Sequence, residues 1–145
     1  MSLLDIRNLT VEFKTDYQGR PRLICYPSRL NQVFMNILVN ACQAVEERSE
    51  SEQDFEGLIM IKVRTRTDWM EVTFDDNGVG ISEATREHIF EPFFTTKPVG
   101  TGTGLGLAIT FTAIEDLDGE LHVESEPGRG SIFVLRLPIN QGATA

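Results

Sequence analysis

Residues Lys97 to Ile109 read KPVGTGTGLGLAI. Four glycines and two threonines fill the seven positions 100–106, and the chain then turns apolar. A solvent linker needs no apolar helix directly behind it. The spacing therefore predicts a loose segment that closes over something and leads into a helix from about Leu105 to Asp116. Backbone amides at such a helix start, aided by the helix dipole, form a ready anion site. The hydroxyls of Thr101 and Thr103 add donors, and Lys97 stands at the far end of the loop, placed to reach a terminal phosphate. The segment is not a P-loop, because no Gly-Lys-Ser/Thr ends it. No predicted strand leads into it, as a dinucleotide fingerprint requires. The plainer alternative is a flexible surface loop; flexibility beside an anion site suggests instead a lid that orders over a nucleotide.

Working outward, the helix behind the glycines is followed by ELHVESE, the turn PGRG and SIFVLRLP, a closing hairpin. Ahead of the glycines, residues 82–91 are expected to form a short helix. Before that, strands are expected at 58–66 and 69–76, broken by DNGVG. Pro27 suits the first position of a helix. From Leu30 the apolar residues Val33, Phe34, Ile37, Leu38, Ala41 and Val45 recur at helical spacing. Residues 47–57 are polar and acidic and read as a loop. The segments 8–14 and 22–26 read as strands separated by a turn at Asp16–Arg20. The order is an α+β domain, a two-layer sandwich of helices on one mixed, mostly antiparallel sheet, occupying residues 1–145 as a single domain. The opening Met1-Ser2-Leu3 is read as a non-native leader, so the natural protein is expected to be longer.

The chain has 145 residues, 41% hydrophobic and 24% charged, with a net charge of -9. It carries no Lys/Arg run from which a nucleic-acid-binding face could be built, so no nucleic-acid partner is expected. An anionic ligand must find its positive field locally, from amides, a few basic side chains or a metal. Cys25 and Cys42 lack metal-ligand spacing and read as buried thiols in a reducing compartment, the cytoplasm. No apolar run reaches membrane-spanning length.

Two further features carry chemistry. Asn36 and Asn40 are one helical turn apart and share a face, with Gln32 and Gln43 extending the stripe. Asn is a poor helix-interior residue, so the pair needs a reason. Its carbonyl oxygens suit a hard cation such as Mg²⁺, and its NH₂ groups suit phosphate; a polar face against a neighbouring loop is an equal alternative. In FDDNGVG, Val72, Phe74 and Asp76 share strand parity, which turns Asp76 toward the core and Asp75 outward. A carboxylate there needs donors, and an adenine amino group supplies one. Gly78 and Gly80 permit a bend and the close approach of a flat ring; a plain Asp-Asn-Gly turn is the simpler reading.

Taken in order, these stretches resemble the ATP-binding catalytic domain of sensor histidine kinases. LNQVFMNILVNACQAV resembles the family's N box, DDNGVG its first glycine box, HIFEPFFTTK its F box and GTGTGLGLAI its second glycine box. GRGSIFVLRLP resembles its last strand pair. The likeness runs from about Leu23 to Pro138, and the wording EPFFTTKPVGTGTGLGLAI is most similar to the nitrogen-regulator-type branch. The resemblance implies the Bergerat ATP-binding fold shared with gyrase-type and chaperone-type ATPases. It implies ATP and Mg²⁺ as cofactors, Mg²⁺ on Asn36 and Asn40, and adenine read by Asp76. It implies nucleotide contacts from Gln43, Gly78, Gly80, Lys97, Gly100, Thr101, Gly102, Thr103, Gly104, Leu105 and Gly106, under a lid spanning roughly 93–106. Phe93 and Phe94 would anchor that lid or meet a partner helix. The γ-phosphate would pass to a histidine and later to an aspartate of a response regulator, with Asn36 and Lys97 serving the transfer step.

The sequence departs from the family in two places. Tyr26 stands where an Asp often caps the N-box helix, so Ser28 or a backbone group must serve. Gln43 stands where some members carry Lys, which weakens a direct phosphate contact there. His88 and His122 both lack the family's acceptor setting, His88 reading as a lid-base or surface residue and His122 as an outward strand position. The acceptor is therefore expected on a separate helical dimerisation domain, and this chain alone is expected to be a monomer. Three rivals are an ATP-hydrolysing clamp, an anti-sigma-type serine kinase and a degenerate nucleotide-binding module. The clamp needs a Glu general base where this chain has Asn36.

Overall fold

A computed structural model describes residues 2–6, 9–18, 27–92, 94 and 106–139. Six strands form one sheet in the order β1-β2-β3-β4-β6-β5: β1 is Ser2–Ile6, β2 Leu9–Tyr17, β3 Glu56–Thr65, β4 Trp69–Asp76, β5 Glu120–Glu126 and β6 Gly130–Pro138. Neighbours run antiparallel except β2 and β3, which are parallel. A parallel pair needs a long crossover, and the helix α1, Pro27–Ser51, lies in that connection. The helix α3, Gly106–Asp116, packs on α1 and β5. The two-layer α+β sandwich expected from the sequence is the one found.

The core lies between the helices and one sheet face. On α1 the fully buried residues are Val33, Ile37, Ala41 and Val45, each four apart. The first two join Val72, Phe74, Ile114, Phe133, Leu135 and Leu137 in the main cluster. Ala41 and Val45 meet Val11 and Ile59 in a smaller one. Phe34 tilts against Phe74 with ring centroids 5.9 Å apart, fixing α1 over β4. The opposite sheet face is mostly polar, with Arg136 bonded to Glu71 at 3.0 Å and Arg64 to Asp16 at 2.8 Å around the half-buried Met60, Ile132 and Val134. One apolar face and one wet face is the pattern expected of a mainly antiparallel sheet.

Several boundaries differ from the sequence reading. Ser2–Ile6 is an edge strand paired with β2, where no strand was expected. β2 continues through Asp16 and Tyr17, opposite Lys62 and Val63, where a turn was expected. The backbone pairing with β3 prevails there over the turn propensity of Asp16. The expected strand 22–26, with Cys25, lies outside the described residues. The helix α1 runs on to Ser51 through the stretch expected to be loop from 47. Arg48 explains this: it pairs with Glu52 one turn on, and its guanidinium sits 4.8 Å from the Phe55 ring centroid. The short helix α2 is only Glu83–Arg86, capped by Ser82, whose hydroxyl accepts from the Thr85 amide at 3.2 Å. Beyond it the chain steps through i+3 turns, from Thr85 to His88 and from His88 to Glu91.

Candidate functional site

The helix α1 receives both glycine-bearing segments. Asn36 donates through Nδ2 to the Gly106 carbonyl at 3.1 Å and to Thr110 Oγ1 at 3.2 Å. Eight residues on, about 12 Å along the axis, the Ala44 carbonyl accepts from the Val79 amide at 3.1 Å. A β-carbon on Gly78 would stand 2.6 Å from the Ala44 β-carbon. The end of the glycine-rich segment and the loop after β4 are thus held against one helix face, with Asn40 between them.

Asp76 ends β4 on the core side, 4% exposed, as its strand parity predicts. Burial pushes its carboxyl up to about 6, against the opposing pull of the Gly78 and Ser131 amides, while Asp75 adds a further upward push. Its Oδ1 accepts from the Gly78 amide at 2.8 Å. A buried carboxylate with one oxygen held by the backbone is poised to accept a further hydrogen bond from a ligand.

The loop behind it is fastened on all sides. Asn77 Oδ1 accepts from the Leu58 amide at 2.8 Å, and its Nδ2 donates to the Glu56 carbonyl at 3.0 Å. Its side chain thereby extends the ladder of β3. Arg48 donates to the Asn77 carbonyl at 2.8 Å. The Ile81 amide donates to Ser125 Oγ at 2.7 Å, and the Gly128 amide to the Val79 carbonyl at 2.7 Å. Gly80 has φ +75°, and a β-carbon there would lie 2.1 Å from the Glu126 carbonyl oxygen. The sequence reading gave Gly78 and Gly80 the task of admitting a flat ring. A β-carbon on Gly78 would strike Ala44 and one on Gly80 would strike Glu126, so the two glycines also let the loop pack closely.

Asn36 and Asn40 are half-buried on one face of α1, as their spacing predicts. Asn40 Nδ2 donates to the Asn36 carbonyl at 2.8 Å. The NH₂ groups of both amides are therefore engaged with the protein, and of the two ligand modes left open by the sequence the carbonyl oxygens are the ends suited to a ligand. Gln43 is half-buried one turn beyond. Lys97, Gly100, Thr101, Gly102, Thr103, Gly104, Leu105 and Phe93 lie outside the described residues.

At the base of the expected lid, Ile89 is buried, Phe90 stacks on Phe111 of α3 at 5.1 Å, and Phe94 packs against the main core. His88 is exposed and meets Glu91 Oε1 at 2.8 Å. His122 points outward, 3.2 Å from Glu120 Oε2. Both fit the surface positions expected of them. Cys42 is half-buried against the smaller core cluster, and burial raises its thiol pKa, with Asp76 and Glu46 adding to the effect, which makes it a poor nucleophile.

Residues 25–141 match the family described as histidine kinase-, DNA gyrase B- and HSP90-like ATPase. The chain belongs to this ATPase family. Sporulation kinase E of Bacillus subtilis (strain 168) is 37% identical over 124 residues, covering 85% of this chain and 15% of that protein. The signal transduction histidine-protein kinase AtoS of Escherichia coli (strain K12) is 43% identical over 112 residues, 77% of this chain and 17% of that protein. The catalytic domain of the histidine kinase ThkA, in a nucleotide-free form, superposes with a TM-score of 0.73 at 30% identity, over 89% of this chain and 80% of that one. Within the ATPase family, this is a catalytic domain of the sensor histidine kinase type. It spans about a sixth of the length of the two curated relatives.

In this ATPase-family domain, sequence reasoning missed Asn77, Arg48 and Thr110. Asn77 was legible only as a turn residue, since nothing local says which strand its amide completes. Arg48 sits in an acidic run that reads as loop. Thr110, 0% exposed in the middle of α3, offered one signal: a β-branched hydroxyl residue among the apolar positions of a helix.

Proposed function

We propose that this catalytic domain binds ATP with Mg²⁺ between α1, the loop 76–80 and the glycine-rich segment. It then passes the γ-phosphate to a histidine on a separate helical domain of the same full-length protein. A response regulator aspartate receives the phosphoryl group afterwards. The observation that carries the reading is the single helix face on which Asn36, Asn40 and the Ala44 carbonyl stand in line, with the buried Asp76 carboxylate beside its far end.

The residues fit the groups. Two amide carbonyls are neutral oxygen donors, the kind a hard cation takes when phosphates supply the balancing charge. Asp76 is buried and held in acceptor form by the Gly78 amide, which suits an exocyclic amino group. Mg²⁺, when bound, would supply charge neutralisation on the polyphosphate. Asn36 and Asn40 would hold the cation, Asp76 would orient the purine, and Lys97 with the amides of 100–106 would hold the terminal phosphate. In the transfer, the bond from the γ-phosphorus to the bridging oxygen breaks, a phosphorus–nitrogen bond to imidazole forms, ADP leaves and the imidazole gives up its N–H proton. Such a loose transition state asks mainly for positioning and neutralised charge.

A hydrolysing clamp is disfavoured by Asn36, whose amide cannot take a proton from water and whose NH₂ is bound to Gly106 and Thr110. No helix among the described residues is long and apolar enough to cross a membrane. The domain is proposed to work in the cytoplasm as a monomer. The test is incubation with γ-labelled ATP, Mg²⁺ and the isolated acceptor-helix domain. Acid-labile, alkali-stable label on that domain is expected. Free phosphate without labelled protein, or acid-stable label, overturns the reading in favour of the clamp or the serine kinase.

A further inference from the structure

Thr110 lies in the middle of α3 with 0% exposure, and it is one of only two buried residues on that helix, the other being Ile114. A valine would fill the same volume without a polar atom. Buried hydroxyls are retained where they are bonded, and this one has two partners. Thr110 Oγ1 donates to the Gly106 carbonyl one turn back, at 2.8 Å. Its proton is thereby committed, so toward Asn36 Nδ2, at 3.2 Å, the oxygen acts as acceptor. The same Nδ2 also donates to the Gly106 carbonyl at 3.1 Å.

Two acceptors thus face one end of the Asn36 amide. Turning the amide over would bring Oδ1 against the Gly106 carbonyl oxygen, acceptor against acceptor. It would also point two N–H groups at any cation. We propose that Thr110, acting together with the Gly106 carbonyl, is a positioning residue for the transfer reaction, holding the Asn36 amide with its carbonyl oxygen toward the metal–nucleotide. This rests on the reading of Asn36 as a cation ligand. A partner that fixes a ligand's orientation in this way affects metal affinity without touching the metal. Because Gly106 closes the glycine-rich segment, the same bonds join the end of that segment to the metal-facing amide.

The experiment compares wild type with Thr110→Val and Thr110→Ser. In the nucleotide-free domain, the Asn36 side-chain NH₂ is followed by ¹⁵N NMR hydrogen exchange. Affinity for a fluorescent ATP analogue is measured in Mg²⁺ and in EDTA. The valine variant is expected to lose NH₂ protection and about tenfold of the Mg²⁺-dependent affinity, with affinity in EDTA unchanged. The serine variant is expected to restore both. Should valine prevent folding, judged by circular dichroism, Thr110→Ala carries the same comparison. A folded valine or alanine variant with the wild-type ratio of Mg²⁺ to EDTA affinities overturns the positioning role alone. Wild type without any Mg²⁺ dependence overturns the metal reading of Asn36, and this proposal with it.

Discussion

The backbone of Gly78 lies so close to Ala44 that a β-carbon on residue 78 would stand 2.5 Å from the Ala44 carbonyl carbon. That contact sets the distance between the loop after β4 and the helix carrying Asn36 and Asn40. Gly78→Ala is expected to push the loop off α1, weaken the Val79–Ala44 hydrogen bond and cost about 1–3 kcal/mol. Chemical denaturation reads the loss of stability, and nucleotide affinity should fall with it. A variant as stable as wild type would mean the loop yields without strain.

Asp76 sets stability against binding. Its folded pKa of about 6 lies above the ordinary 3.8. The folded state therefore holds a proton that the unfolded state has already lost between those values, and stability falls as pH rises through that window. The difference corresponds to at most about 3 kcal/mol at pH 7. Asp76→Asn removes the buried charge while keeping an acceptor for the Gly78 amide. Thermal melts at pH 7 should show the variant more stable than wild type, with the gap closing toward pH 4. Nucleotide affinity should be lost in the variant, and in wild type it should decline as pH drops below about 6. A melting temperature lower than wild type at pH 7 contradicts the account of the buried charge.

Asn77 acts differently from its neighbour. Its amide makes two bonds to the backbone of β3. Asn77→Ala leaves the Leu58 amide and the Glu56 carbonyl without those partners and should cost about 2 kcal/mol. The variant that remains folded is expected to keep most of its nucleotide affinity. Titration at a temperature well below its melting point checks this, and a selective loss of binding would give Asn77 a direct ligand contact.

The same contrast shows what the sequence could disclose. Asp76 was legible because strand parity is a local property: Val72 and Phe74 announce the buried side, and residue 76 follows. The α1 stripe of Val33, Ile37, Ala41 and Val45 was legible from its period, and the β5–β6 hairpin from its turn. Asn77, Arg48 and Thr110 each also have a partner far away in the chain, 19, 29 and 74 positions distant, and no local pattern encodes which distant group a side chain will meet. The edge strand Ser2–Ile6 was missed for a similar reason, since its pairing with β2 gives a short segment its conformation. The extension of α1 past 47 depended on Arg48 meeting Glu52 and Phe55, which outweighs a composition that reads as loop.

Asn40 separates a metal role from a structural one. Its Nδ2 donates to the Asn36 carbonyl on the same helix, so Asn40→Ala removes little that holds the fold together, and alanine favours helix. Stability should be unchanged or slightly raised. Nucleotide affinity should fall in Mg²⁺ much more than in EDTA, as paired titrations would reveal. Equal loss under both conditions would take Asn40 out of the cation's coordination.

The central claim is that the purine lies against Asp76 while the phosphates and their cation lie along α1. Titration calorimetry of the wild-type domain with a non-hydrolysable ATP analogue and Mg²⁺, repeated with Asp76→Asn, tests it most directly. The account predicts saturable one-to-one binding by wild type and no detectable heat from a folded, more stable variant. Equal affinity in the two proteins would contradict it.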